Sequence, residues 1–214
     1  MEFKEMLERF SKVGTATVSD AVDKITGLRG YMGHQIKPLF ETKIVGPAVT
    51  IKEAFALKSE GPTLAIKAMD AAETGCVMVI SIDDAEDFAV FGGIMGTGAL
   101  VNGFAGAVVD GGVRDVAQLK ELGFPVFSRS IVPSSTIGRV ITVAENVPIT
   151  CGGVMIYPGD IIHGDADGVA VVPRAKAEEI LLFAEEAEEV ERCLMEEIQS
   201  TKSVLQSVEK WARI

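Results

Sequence analysis

The chain reads as an α/β fold, and three observations lead there. Apolar runs rich in valine and isoleucine, too short for helices, recur at 44–52, 76–82 and 105–109. Segments with helical periodicity, at about 62–72 and 94–102, alternate with them. The hydrophobic fraction is 48% over 214 residues, enough to fill the core of one domain. The expected organisation is a single domain over 1–214, of which about 174–214 forms a C-terminal helical extension.

In chain order, Phe3, Met6, Leu7, Phe10 and Val13 mark one face of an opening helix. Gly14-Thr15 interrupts it, and Thr17 or Ser19 is placed to cap a second helix, SDAVDKI. The loop that follows, with Gly27, Gly30, Gly33 and Pro38, carries Tyr31 and His34 and reads as a connector. Residues 44–52 form a strand in which Pro47 suggests an edge or a bulge. Pro62 suits the first turn of the next helix. After the strand 76–82, the acidic loop with Asp83, Asp84, Glu86 and Asp87 reads as a solvated run, or as outer support for a metal.

The centre of the chain is the stretch from Gly92-Gly93-Ile94-Met95-Gly96 to Gly111-Gly112-Val113-Arg114-Asp115. It reads as glycine loop, helix 94–102, buried strand 105–109, a turn at Asp110-Gly111-Gly112, then Arg-Asp and a further helix from Asp115. Glycines let helix-start amides approach an anion. The strand end delivers a guanidinium and a carboxylate to the same end of the fold. An arginine fork suits a small carboxylate, and a free aspartate suits a hard cation. The competing reading of the same residues is a surface ion pair with Asp115 as a helix cap.

Beyond this unit, PVFSRSIV reads as a strand carrying Ser128 and Arg129, followed by Pro133-Ser134-Ser135, which either line a pocket or face water. Residues 139–157 read as two strands, RVITVAENVPI and GVMIYPGD. Asp165, Asp167 and Gly168 share part of a calcium-loop pattern but lack its downstream glutamate, so GDADG is read as a tight turn onto GVAVVP. From Arg174 onward Ile180, Leu181, Ala184, Ala187, Val190, Leu194 and Ile198 keep helical spacing. A helix of this length exceeds what the sheet needs, so packing on a neighbouring subunit is expected. Ser200-Thr201 is placed to break it and Trp211 to anchor the end.

Composition narrows the function. Net charge is −11 with no Lys/Arg run, which argues against a nucleic-acid partner. Cys76, Cys151 and Cys193 are far apart and odd in number, which fits small buried residues in a reducing cytoplasm. The charged, amphipathic N-terminus does not read as a signal peptide, and no apolar run approaches membrane-spanning length. No G-x-S-x-G or P-loop occurs, and His34 and His163 are the only histidines, which excludes a histidine-rich zinc site. Gly96-Thr97-Gly98 begins like a dinucleotide fingerprint, but Val101 stands where its third glycine belongs. Lys52 could form a Schiff base, though a strand-edge lysine in solvent is the expected reading.

The segment with Gly93, twenty intervening residues and Arg114-Asp115, set in GAVVDGGVRDVAQLKELGFPVF, resembles the metal-dependent 4-hydroxy-4-methyl-2-oxoglutarate aldolases, a family that also contains the RraA-type regulators of ribonuclease E. TATVSDAV, IVGPAVTI and GDADGVAVVP look like further landmarks of that family in the expected order. The resemblance implies a swivelling β/β/α fold with a long C-terminal helix, assembled as a trimer or a dimer of trimers. It implies a lyase acting on short 2-oxo acids through a pyruvate enolate, as aldolase, oxaloacetate decarboxylase or both. Asp115 would then hold Mg²⁺ or Mn²⁺ largely through waters, and Arg114 would bind the pyruvyl group. The amides of Gly92, Gly93, Ile94 and Met95 would hold its carboxylate. Glu188, Glu191 or Glu196 of a neighbouring subunit's C-terminal helix would approach the site. Gln118 departs from the pattern, since active members carry Glu or Asp three residues after the motif aspartate. A neutral glutamine can hydrogen-bond a metal-bound water but cannot act as a base. The alternative implied by the family is a non-catalytic, RraA-like protein that binds and regulates a partner.

Overall fold

The fold is described by a computed structural model over residues 1–57, 61–82 and 85–211. In chain order its elements are α1 (Phe3–Phe10), α2 (Thr15–Thr26), β1 (Lys37–Pro38), β2 (Ile44–Phe55), α3 (Thr63–Ala71), β3 (Val77–Ser81), β4 (Ala89–Phe91) and α4 (Gly93–Val101). Then follow β5 (Gly106–Val113), α5 (Val116–Glu121), β6 (Val126–Ile131), β7 (Val140–Glu145), β8 (Ile149–Cys151), β9 (Val154–Ile156), β10 (Ile161–Asp165) and β11 (Gly168–Val172). A short 3₁₀ turn leads into α6 (Ala177–Thr201), and α7 (Val204–Trp211) closes the described chain.

The main sheet runs β1-β6-β5-β3-β2-β10-β11, with β4 added to β5 and β7 to β2. The strands β2, β3, β5 and β6 are parallel. The central pair, β3 and β5, is buried along its whole length on both faces, as parallel strands covered on two sides must be. Val109 and Val113 enter a core beneath α3, α4 and α5, while Val108 enters a second core inside the curled sheet. A third core joins the outer face of β10 and β11 to α1, α2 and the start of α6. The sheet curls until its edges nearly meet. The loop holding Tyr31 and His34 spans the gap, with a bridge from Tyr31 to Ala170 and a hydrogen bond from Lys37 Nζ to Asp167 O at 3.1 Å.

Several expectations change. The strand 105–109 does not end at Asp110-Gly111-Gly112; β5 continues to Val113. These glycines serve close packing rather than a turn. A Cβ at Gly111 would stand 2.6 Å from Ile82 Cγ2, and one at Gly112 would stand 2.7 Å from Phe88 O. Asp110 stays in the strand because Arg129 Nε and Gly152 N donate to its buried carboxylate, at 2.5 and 2.6 Å. β2 is an interior strand, not an edge, so Lys52 lies between Ser81 and Ala144 of its neighbours. Pro47 is tolerated because Ala48, not Pro47, donates to Asp160 O at this end of the ladder (2.8 Å). The region 139–157 holds three strands instead of two.

The second helix begins at Thr15, earlier than the local cap signals Thr17 and Ser19 suggest, and no side chain of its own caps it. Its first amides are met from afar: Gly14 N donates to Glu188 Oε1, and Thr15 N donates to Asp165 Oδ2 at 3.0 Å. The other oxygen of Asp165 accepts from Asp167 N, so GDADG is a tight turn that also caps a distant helix. The long α6 ends at Thr201, where Lys202 turns left-handed, and α7 folds back on it. Trp211 Nε1 donates to Glu197 Oε2 at 2.6 Å and secures that return. Cys76 and Cys151 are buried, whereas Cys193 is half-exposed.

Candidate functional site

The site gathers at the carboxyl ends of the parallel strands, where open α/β sheets place their ligand crevices. β4 pairs with the end of β5, bringing Phe91 beside Val113. The chain then enters α4 at Gly93, while β5 runs into Arg114-Asp115 and α5. Arg114 N donates to Phe91 O at 3.0 Å, which locks the two exits together.

The two exits can approach because Gly92, Gly93 and Gly96 lack side chains. A Cβ at Gly92 would lie 2.8 Å from Asp115 Oδ2. One at Gly93 would lie 2.0 Å from Gln118 Oε1, and one at Gly96 would lie 2.3 Å from Leu119 Cδ2. The glycines therefore make room for α5 as well as for a ligand. Asp115 has φ +57°, a left-handed backbone that non-glycine residues seldom adopt. That conformation turns its carboxylate back over α4, and Oδ2 accepts the Gly93 N–H at 3.0 Å.

The helix-start amides thus divide their work. Gly93 is occupied by Asp115, so it does not remain open for a substrate carboxylate. Gly96 N is the first to bond within the helix, to Gly92 O at 2.8 Å. Ile94 and Met95 lie between them and have no intrahelical acceptor, so among the described residues their N–H groups remain for a ligand. Arg114 is half-buried. Its Nη1 donates to Ser134 O at 3.1 Å and its Nε stands 3.6 Å from Asp115 Oδ2. The Ser134 hydroxyl is fixed in turn, accepting from Ala89 N and donating to Asp87 O.

Arg114, Asp115 and the α4 start open into one cleft of about 240 Å³. Its far wall is built from Pro62, Ile66, Thr136 and Ile137. Those residues carry no local signal of function in the sequence. The Ser134-Ser135 segment joins the site as one of its two readings allowed. Ser128 and Arg129 do not line it, and neither do Tyr31, His34 or Lys52. Asp83 and Asp84 lie outside the described residues, while Glu86 stands 3.8 Å from Arg129. Of the α6 glutamates, Glu188 is engaged by Gly14 of its own chain and Glu196 by Arg192.

The donor set bears on a metal. Among the described residues no group of three or more His, Cys, Asp or Glu side chains could enclose one. Asp115 supplies one exposed carboxylate whose Oδ1 has no partner among the described residues, and the Gln118 amide lies beside it over Gly93. That set fits a hard cation that keeps most of its waters, and does not fit a closed structural site.

Residues 15–171 match the RraA-like family, described as Aldolase/RraA. A protein of Halalkalibacterium halodurans with the provisional name 4-hydroxy-4-methyl-2-oxoglutarate aldolase is 36% identical over 214 residues, covering 95% of each chain. A solved structure from Pseudomonas syringae superposes with TM-score 0.87 at 31% identity, covering 98% of this chain and 95% of the other. A Streptomyces coelicolor structure, titled an unusual member of the RNase ES inhibitor RraA protein family, gives TM-score 0.81 at 27% identity, covering 89% and 96%.

Proposed function

The chain belongs to the RraA-like family, and from that premise we propose that it is a divalent-metal-dependent lyase acting on short 2-oxo acids, as aldolase, oxaloacetate decarboxylase or both. The names of its relatives support a lyase-type role. The observation that carries the finer reading is the convergence of Arg114, Asp115 and the free Ile94 and Met95 amides in one cleft.

In this reading Asp115 holds Mg²⁺ or Mn²⁺, with Gln118 beside it as a neutral partner for a bound water. The cation would supply the positive charge that a keto oxygen needs as it becomes an enolate oxygen. Arg114 binds the pyruvyl end of the substrate through the guanidinium edge that Ser134 leaves open. The Ile94 and Met95 N–H groups orient the substrate carboxylate. The Asp115–Gly93 hydrogen bond holds the carboxylate and the helix start at a fixed separation, so little reorganisation is left for the reaction itself.

The assembly we propose is a trimer or a dimer of trimers in the cytoplasm, with neither nucleic acid nor membrane as partner. The net charge of −11 supports the first exclusion. Among the described residues no helix is long and apolar enough to cross a membrane. Exposed Leu182 and Met195 on α6 offer apolar surface for subunit packing.

Gln118 favours a second reading, a non-catalytic RraA-like regulator that binds a protein partner. Pyruvate release from oxaloacetate and from 4-hydroxy-4-methyl-2-oxoglutarate, measured with Mg²⁺, Mn²⁺ and excess chelator, separates the two. The lyase reading expects metal-dependent release; inertness towards every 2-oxo acid leaves the regulator.

A further inference from the structure

Arg114 is tied by both its backbone and its side chain to one short strand. Its N–H donates to Phe91 O, at the end of β4, at 3.0 Å. Its Nη1 donates to Ser134 O at 3.1 Å, and Ser134 in turn grips the start of the same strand. The Ser134 hydroxyl accepts from Ala89 N at 2.9 Å and donates to Asp87 O at 3.0 Å. Between those two residues Phe88 O faces β5, accepting from Gly112 N at 3.1 Å. Asp87 O and Ala89 N therefore face the other way, and one hydroxyl satisfies both, as a neighbouring strand would. The bonds close a ring through β4, Arg114 and Ser134. The adjoining serines work differently. Ser135 Oγ accepts from Ile137 N within its own loop at 3.2 Å. Ser130 Oγ donates to Glu86 O at 2.5 Å, a tie between the same two segments with no bond to Arg114 among the described residues.

We propose that Ser134 is a positioning residue for Arg114: its hydroxyl fixes the loop after β6 to β4, so that its carbonyl holds the guanidinium in the orientation that receives the pyruvyl end of a 2-oxo acid. The inference rests on the lyase reading above, which gives Arg114 that role. Arg114 lines the cleft and is half-exposed, and a long side chain left untied there would spread over many rotamers. The Ser134 carbonyl removes that freedom before the substrate arrives. Without the hydroxyl the carbonyl is no longer fixed, and the guanidinium regains its rotamers. Substrate and transition state then lose the same interaction, so KM rises while kcat is kept.

The test measures steady-state pyruvate release from oxaloacetate, and pyruvate binding by calorimetry, on the full chain with Mg²⁺. Ser134→Ala should raise KM about tenfold with kcat within about twofold of the wild type. Pyruvate binding should weaken by a similar factor. Ser134→Thr keeps the hydroxyl and should restore both to within about threefold. Ser130→Ala breaks a tie of the same kind and should leave KM and pyruvate binding unchanged. In an Arg114→Lys background Ser134→Ala should add less than about twofold, because the group it positions is gone. A wild-type KM in Ser134→Ala would overturn the inference and leave the lyase reading standing. Equal effects of Ser134→Ala and Ser130→Ala would overturn it too, as would no rescue by threonine or the full loss recurring beside Arg114→Lys. A wild type that releases no pyruvate from any 2-oxo acid would remove the lyase reading, and pyruvate binding alone would then compare the variants. A wild type that also fails to bind pyruvate would remove both.

Discussion

Asp115 reaches back 22 positions to Gly93, accepting its backbone N–H at 3.0 Å while its own backbone sits at φ +57°. One carboxylate thereby caps α4, sets the spacing between α4 and Arg114, and offers its second oxygen to the cleft.

Those roles separate in two variants. Asp115→Asn keeps a side-chain acceptor and a residue type that tolerates the left-handed backbone, so unfolding free energy should fall by less than about 1 kcal/mol. Asp115→Ala loses the cap and keeps the strain, and should cost about 2 kcal/mol. Both should lose metal-dependent pyruvate release. Full metal-dependent turnover in Asp115→Asn would place the cation elsewhere.

The glycines should answer differently to the same substitution. At Gly93 an added methyl meets the flexible end of exposed Gln118, which can swing aside, so Gly93→Ala should change urea stability by less than about 1 kcal/mol. At Gly96 it meets Leu119, which is fully buried, and Gly96→Ala should cost about 1–3 kcal/mol. Equal losses at both positions would contradict this packing.

Arg114 presents a planar fork with one arm already spent on Ser134 O. A lysine supplies a point charge and cannot bridge that carbonyl and a substrate together. Arg114→Lys should lower kcat/KM for pyruvate release by about 2 kcal/mol with the fold intact by circular dichroism. Unchanged kinetics would remove Arg114 from the substrate.

Gln118 lies beside the Asp115 carboxylate, so Gln118→Glu adds a negative charge where a cation would bind. Attraction at short range, reduced by desolvation and screening, should lower the half-activating Mg²⁺ concentration about tenfold. A titration curve that does not move would show that residue 118 does not face the cation.

Two buried groups should impose opposite pH slopes on stability. Burial pushes the His163 pKa down to about 4, and its neutral ring is held by Phe10 O and the Thr15 hydroxyl, each at 3.0 Å. The unfolded chain then takes up the proton first, so this contribution is lost as pH falls from about 6.5 towards 4. Burial pushes Glu53 up to about 7, and its Oε2 has no hydrogen-bond partner among the described residues. Here the native state keeps the proton, so stability is lost as pH rises from about 4.5 to 7. Each effect reaches about 3 kcal/mol, and between pH 4.5 and 6.5 they oppose one another. Glu53→Gln should therefore gain on the wild type by about 3 kcal/mol across pH 4.5–7 in urea unfolding. A difference independent of pH would show that Glu53 is ionised in the native protein.

Periodicity within short windows determined much of this protein. The apolar face of α1, the buried strands β3 and β5, the helix α4 and the long α6 all follow from residues that are neighbours in sequence. The Arg-Asp pair could be placed at a strand end for the same reason. What tertiary structure alone decided involves partners far apart in the chain. The first amides of α2 are capped by Asp165 and Glu188, which overrode the local cap signals Thr17 and Ser19. Gly111-Gly112 looked like a turn because glycine permits one, but contacts with Ile82 and Phe88 made the pair part of a strand. The left-handed backbone of Asp115, and with it the division of the α4 amides between protein and ligand, depends on α4 and α5 meeting through Gly93 and Gly96. The lining of the cleft has no signature in the sequence, because Ile66, Ile94 and Ile137 come to border one hollow only when α3, α4 and the loop after β6 are brought to the same end of the sheet.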